Sequence, residues 1–474
     1  MDKITRNETV PKHVFERRTK LAVPASELFD WHTRAGAFER LTPPWESVRV
    51  VENGGGVANG SRVVLEVKVG PLRKHWVAVH SDVIPGSSFT DIQEQGPFPF
   101  WQHEHRMIPV DADSSWLEDH VEYKLPLGFP GNALGERIVR RKLERLFRYR
   151  HRVTEDDLRV HFGSRRIDPM TIAISGANGL VGSSLVPLLT GGGHHVKRLV
   201  RKPTLESDNE ISWDPVGSAL DPASFEHVDA VVHLAGENIA AGRWTDARKK
   251  RILDSRVNGT RLLSEALAQC SRPPQVLVSA SAIGFYGDRG DEEITESSSS
   301  GEGFLADVCR RWEQATAVAS EKGIRVVNLR IGVVLSPDGG ALKKMLTPFK
   351  LGGGGVIGTG RQYMSWIGLD DLIYGILHSI TTEVLSGPVN AVSPNAVTNR
   401  DFTKAPGRVL SRPTIIPMPA FGARLAFGEL ADELLIGGQR VMPTRFLESG
   451  FQFRHAQLED ALRHMLGKQP VRAG

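Results

Sequence analysis

Cysteine is nearly missing. Only Cys270 and Cys309 occur in 474 residues, which excludes a disulfide framework and points to a reducing compartment. No apolar run approaches the ~20 residues needed to cross a bilayer, so no membrane span is expected. The opening residues MDKITRNETVPKH are charged where a secretory leader would carry its apolar core. Aromatic residues amount to 7%, and no dense basic block is interleaved with them, so nucleic acid is not an expected partner. Together these absences lead us to expect a cytoplasmic protein. What is present is the composition of a globular chain, 40% hydrophobic and 24% charged, with a net charge of +4 that suits a small anionic ligand. The length calls for two or three domains.

Residues 1–153 read as a mainly β block. The strand pattern ERRTKLAV leads into a helical stretch, Ala25–Arg40. Alternating segments SRVVLEVKV, HWVAVHSDVI, FTDIQEQG, WQHEHRMIPV and WLEDHVEYKL follow, each bounded by turn formers. The block closes on LGERIVRRKLERLFRYRHRV, an amphipathic helix with Ile138, Leu143, Leu146 and Phe147 on one face. Residues 154–169 are polar, carry SRRIDP, and read as a linker. From residue 170 to about 400 the period changes. Short apolar runs (TIAIS, HHVKRLV, AVVHLAG, QVLVSAS, RVVNLRIGVVL) alternate with helical segments such as ARKKRILDSRVNGTRLLSEALAQC, which predicts an α/β domain with a doubly wound parallel sheet. Residues 401–468 read as a small, mainly helical C-terminal lobe.

The strongest motif lies at the start of that sheet. A strand runs into Gly176, Ala177, Asn178, Gly179, Leu180, Val181 and Gly182, and a helix and a second strand follow. Gly176 permits the tight turn, Gly179 lets backbone approach a pyrophosphate, and Gly182 lets the helix pack on the sheet with its N–H groups facing the anion. This is the dinucleotide-binding fingerprint of a Rossmann sheet. Where an NAD site would carry an acidic residue for the ribose 2′-hydroxyl, the chain has Arg201 and Lys202. Two cations there suit a 2′-phosphate, so NADP(H) is the expected cofactor.

At these residues the chain resembles the atypical extended short-chain dehydrogenase/reductases of the epimerase family. The blocks that carry the resemblance are SGANGLVG, LVRKP, HLAGENIAAGRWT, SASAIGFYGDRGDE, GVVLSPDGGAL, GTGRQYMSWIGLDDL and VMPTRFLESGFQF. The resemblance implies that Leu234, Ala235 and Gly236 lie beside the adenosine ribose and phosphates, and that Arg256 and Val333 border the dinucleotide. It also implies that the C-terminal lobe is the family's small domain of unknown function. Glu237, at a cofactor-facing strand end, is read as positioning ribose or substrate, or as capping a helix. The N-terminal block resembles the helix-grip polyketide-cyclase and START-like lipid-transfer domains, through GPFPFWQHEHRM followed by DHVEYKLPLG. That resemblance implies an α+β domain with an apolar cavity, in which Trp76, Phe98, Phe100 and Trp101 either line a ligand site or fill a core.

Reductases of this superfamily use Ser together with a Tyr-x-x-x-Lys pair. Ser281 is present and is a candidate to bond a substrate carbonyl. Phe304 and Val308 stand where the pair belongs, and neither can donate a proton. Tyr286 is the nearest substitute. Gly368 replaces the His that relatives more often carry. His103 and His105 share one face of a strand, but with no third ligand in view they read as a hydrogen-bonded pair, and no metal is expected. Two functions therefore stay open: an NADP(H)-dependent oxidoreductase or epimerase acting on a small molecule, and a non-catalytic NADP(H)-binding protein with an apolar ligand in front.

Overall fold

The computed structural model describes residues 12–54, 56–69, 72–126, 132–163, 167–202, 208–217 and 220–469. Ser164, Arg165 and Arg166 of the expected linker, Pro203 of LVRKP, and Leu127 and Gly128 lie outside these residues. The chain divides into two units, one of Met1–Ile167 with Thr190–Gly193, the other of Asp168–Leu189 with His194–Gly474.

The first unit is an antiparallel sheet with a long helix, the helix-grip arrangement. In spatial order its strands are Lys12–Leu21, Ser115–Lys124, Phe100–Pro109, Ser88–Gln95, Leu72–Ile84, Arg62–Val69 and Val48–Asn53. Phe100–Pro109 and Ser115–Lys124 bury every second residue, as half-buried strands do. Three expectations are corrected here. The helix read over Ala25–Arg40 is two helices, Ala25–Thr33 and Ala37–Leu41, because Gly36 takes a left-handed φ of 98° between them. The edge strand Val48–Asn53 was not expected, and its VRVVEN sequence shows no clean alternation. The closing helix does not stop at Val153 but runs from Asn132 to Phe162. It continues through the polar stretch because Thr154, Asp157, Leu158 and His161 all face inward, and Arg40 grips the Asp157 carboxylate through Nε and Nη2 at 2.8 and 2.7 Å.

The second unit carries a wholly parallel sheet in the order Glu210–Ser212, His195–Val200, Thr171–Ser175, Ala230–His233, Val276–Ala282, Arg325–Ile331 and Gly387–Ala391. Its central strands are buried on both faces, which is why they appear in the sequence as unbroken apolar runs. The run RVVNLRIGVVL is not one strand. It forks at Gly332, where a Cβ would stand 2.7 Å from Val392 Cγ1 and 2.8 Å from Ser365 O. Val333–Ser336 then pairs with Trp366–Gly368 outside the main sheet. Helices Asn399–Leu410 and Leu458–Met465 share a core with Leu335, Leu342 and Trp366, so the C-terminal lobe is packed into this unit. Among the described residues, no helix is long and apolar enough to cross a membrane.

Candidate functional site

Thr171–Ser175 has His195–Val200 on one side and Ala230–His233 on the other, so the strand order reverses at this strand. The crevice beyond the carboxyl end of such a switch point is where open α/β sheets bind ligands. Gly176 begins the turn there with φ 73°, and a Cβ on it would lie 2.9 Å from both Ala235 N and the Leu234 carbonyl carbon. At Gly182 a Cβ would fall 2.3 Å from Gly176 O and 2.7 Å from Ala177 Cα. Gly179 differs from both. A Cβ on it would meet only Gly176 O, at 3.2 Å, so the backbone there borders clear space at the start of the helix Gly182–Gly191. Ala177 is buried beneath the turn, Asn178 is exposed above it, and Leu180 and Val181 are half-buried. This geometry fits a pyrophosphate held at a helix N-terminus.

A buried polar chain supports the turn. The Ser175 hydroxyl lies 2.6 Å from His233 Nδ1, and His233 Nε2 lies 2.9 Å from Thr260 Oγ1. The Ser175 hydroxyl also accepts from Ala235 N at 3.3 Å, tying Leu234–Gly236 to the first strand. Burial pushes the His233 imidazole down to about 4, so it is neutral at pH 7. Arg256 braces the same segment by donating to Glu237 O at 3.0 Å and to Ile252 O at 3.2 Å, with its guanidinium 4.9 Å above the Trp312 ring. Glu237 does not cap the helix Asp246–Gln269; Thr245 does, by accepting from Arg248 N. The Glu237 carboxylate lies 3.3 Å from Arg248 Nη1 instead. Arg201 and Lys202 are both exposed at the end of the second strand, and Val333 is half-buried just past the fork.

Ser281 and Tyr286 belong to one buried network. Ser281 Oγ donates to Glu313 Oε1 at 2.7 Å, and Arg330 grips that carboxylate through Nε and Nη2, both at 2.8 Å. Arg330 Nη1 donates to the Tyr286 hydroxyl at 2.8 Å, and that hydroxyl donates to Asn390 Oδ1 at 2.7 Å. Tyr286 is 0% exposed, and burial raises its pKa. The Tyr286 hydroxyl, expected as a stand-in proton donor, is thus enclosed and bonded in both directions in this structure.

Phe304 is half-buried, packs edge-on against Trp244 at 5.2 Å, and lies under Lys249 Nζ at 5.3 Å. Val308 is fully buried. Glu433 of the C-terminal lobe accepts from Phe304 N at 3.2 Å, and burial raises its pKa. A Cβ on Gly368 would meet nothing within 4 Å, although the residue is buried, so the missing side chain leaves space behind. Sequence reasoning missed Glu313, Arg330 and Asn390. Nothing local in the sequence links Trp312-Glu313 to Arg330. In the first unit, Trp76, Phe98 and Trp101 pack with Val121, Phe147 and their neighbours, whereas Phe100 points to the other face beneath Lys12.

Comparison with known proteins gives three family matches. Residues 172–391 match the NAD dependent epimerase/dehydratase family, and residues 21–147 match polyketide cyclase / dehydrase and lipid transport. Residues 418–465 match a domain of unknown function (DUF1731). An epimerase family protein of Mycobacterium bovis is 45% identical over 291 residues, covering 61% of this chain and 96% of its own. The crystal structure of a nucleoside-diphosphate sugar epimerase from Corynebacterium glutamicum is 34% identical and superposes with a TM-score of 0.79, covering 97% of this chain and 91% of that one. Human epimerase family protein SDR39U1, solved with NADPH, is 33% identical over 63% of this chain and 99% of its own, with a TM-score of 0.58.

Proposed function

The chain belongs to the epimerase family, and from that premise we propose that it binds NADP(H) and uses it in oxidoreductase or epimerase-type turnover of a small molecule. The observation that carries this reading is the turn at the switch point, where Gly176 and Gly182 are closed in by backbone while Gly179 borders clear space. Gly176–Gly182 would hold the pyrophosphate, Leu234–Gly236 the adenosine side, and Arg201 and Lys202 the 2′-phosphate; Val333 would border the nicotinamide half. Arg256 acts through Glu237 O as a positioning residue. The presence of NADPH in the human relative supports the choice of nucleotide. Bound NADPH supplies a hydride. The protein's contribution is Ser281, whose hydroxyl can turn from Glu313 to a substrate carbonyl; with the Tyr286 hydroxyl enclosed, water would supply the proton to the reduced oxygen. Turnover is accordingly slow, by about 10²–10⁴-fold relative to a complete triad. The N-terminal unit is assigned an apolar ligand, a reading supported by its lipid-transport match. Two free, buried cysteines support a cytoplasmic setting.

Enclosure of the Tyr286 hydroxyl specifically favours a second reading, a protein that binds NADP(H) without turning it over. Calorimetry with NADPH, followed by NADPH oxidation against a panel of dicarbonyls and quinones, separates the two. Binding with turnover that Ser281→Ala abolishes supports the enzyme. Binding without turnover on any substrate supports the binding protein. Absence of nucleotide binding overturns both.

A further inference from the structure

Strand register gathers a dense polar cluster on the inner face of the N-terminal sheet. Asp91 pairs across to His80 on one side and His103 on the other, and His105 pairs across to Asp119. His103 and His105, two residues apart, point to the same face, and all the groups named here except His80 and Asp91 are buried. The third ligand that local sequence could not show is therefore present. It sits on the neighbouring strand, where the side chains of Asp91, His103 and His105 bring one donor atom each within 4.8 Å of one another. Asp91 Oδ2 lies 3.3 Å from His105 Nε2 and 3.9 Å from His103 Nδ1.

The outward ring nitrogens are equally organised. His103 Nε2 is 2.8 Å from Asp119 Oδ1, and His105 Nδ1 is 2.9 Å from the same oxygen but makes no hydrogen bond there. His151, from the long helix, holds the other Asp119 oxygen at 2.6 Å, while His80 holds the other Asp91 oxygen. An ionised carboxylate only accepts, so His103 must donate to Asp119 from Nε2. A neutral imidazole then turns its Nδ1 lone pair toward the Asp91 carboxylate, an arrangement that a cation between them relieves. We propose that Asp91, His103 and His105 bind a divalent transition-metal cation of the zinc class, with Asp119 as the carboxylate that orients the His103 imidazole and lies beside that of His105. Two histidines and one carboxylate are a recognised ligand set for such ions, with a coordination position left for water or an apolar ligand's carbonyl. The carboxylate bonded to the far ring nitrogen of His103 is the outer-shell partner that metal-binding histidines keep. Donor atoms around zinc stand ~3.3 Å apart at bond lengths of ~2.0–2.1 Å, so the three groups need only draw inward.

The test uses the full chain, freed of metal by chelation and dialysis and titrated with Co²⁺. The expected result is one saturable equivalent with visible d–d absorption that Zn²⁺ displaces. His105→Gln and Asp91→Asn should abolish it, and Asp119→Asn should weaken it by about 10–100-fold, each with the far-ultraviolet circular dichroism of the native chain. No saturable Co²⁺ binding by the native chain, or unchanged affinity in His105→Gln, overturns the proposal. If a variant fails to fold, anomalous diffraction from Co²⁺-loaded native crystals decides. A peak between the three ligands supports the site, and no peak or a peak elsewhere overturns it.

Discussion

Arg330 and Glu313 form a bidentate, buried ion pair, both contacts at 2.8 Å, that ties the strand Arg325–Ile331 to the helix Phe304–Gln314. Around this pair Ser281 finds its acceptor and Tyr286 its donor. Removing one partner strands the other charge away from water, which costs more than the pair itself contributes. Glu313→Ala should therefore lower stability by about 3–5 kcal/mol in denaturant unfolding. Loss of less than ~1 kcal/mol would mean that Arg330 finds water or another acceptor.

The proposed cofactor preference rests on Arg201 and Lys202. Losing one charge-assisted contact to a phosphate costs ~1.5–3 kcal/mol. Arg201→Ala should weaken NADPH by that amount and leave NADH almost unchanged in calorimetry. Equal loss for both nucleotides would remove the 2′-phosphate from this strand end.

Gly182→Ala tests the turn itself. The new methyl group would fall 2.3 Å from Gly176 O, inside backbone that has no side chain to swing away. The helix start must move off the strand, and NADPH affinity should drop on the order of tenfold or more, ~1.4 kcal/mol. Gly179→Ala adds its methyl where only one atom is near, so the fold should tolerate it and the loss should appear in nucleotide binding alone.

His233 gives the protein an acid-sensitive element. Its folded pKa of about 4 lies below the ordinary 6.5, so the unfolded chain binds the extra proton first. Its contribution is present in full above pH 6.5 and is lost as pH falls toward 4, amounting to about 3 kcal/mol across that window. His378 is also held down to about 4 and moves stability in the same direction. The difference between native chain and His233→Gln isolates one from the other. The variant's unfolding midpoint should depend less on pH between 4 and 6.5, and parallel curves would refute the assignment.

The parts of the molecule that were legible in the sequence are those written locally. TIAIS stands as the strand Thr171–Ser175 because a strand buried on both faces must be apolar throughout, and the glycines that follow are close together in sequence. Where a glycine breaks a periodic run, periodicity alone failed. Gly36 divides one helical pattern and Gly332 one apolar run, each through a constraint set by φ or by a distant neighbour. Glu313, Arg330 and Asn390 were missed for the same reason, since they meet only when the helix is laid on the sheet. Asp91 was hidden from His103 and His105 by a hairpin whose register no local pattern announces.

The hairpin joining Phe100–Pro109 to Ser115–Lys124 pairs Pro109 with Ser115 and, further along, His105 with Asp119. Side chains alternate faces along both strands, so the turn between them cannot change length freely. Losing one residue from positions 110–114 would re-pair the strands one step out and turn either the histidines or Asp119 toward the opposite face. Losing two would keep the faces but set His105 against a different partner. This short turn, which contributes no residue to the cluster, should therefore resist insertions and deletions that loops of its kind ordinarily accept.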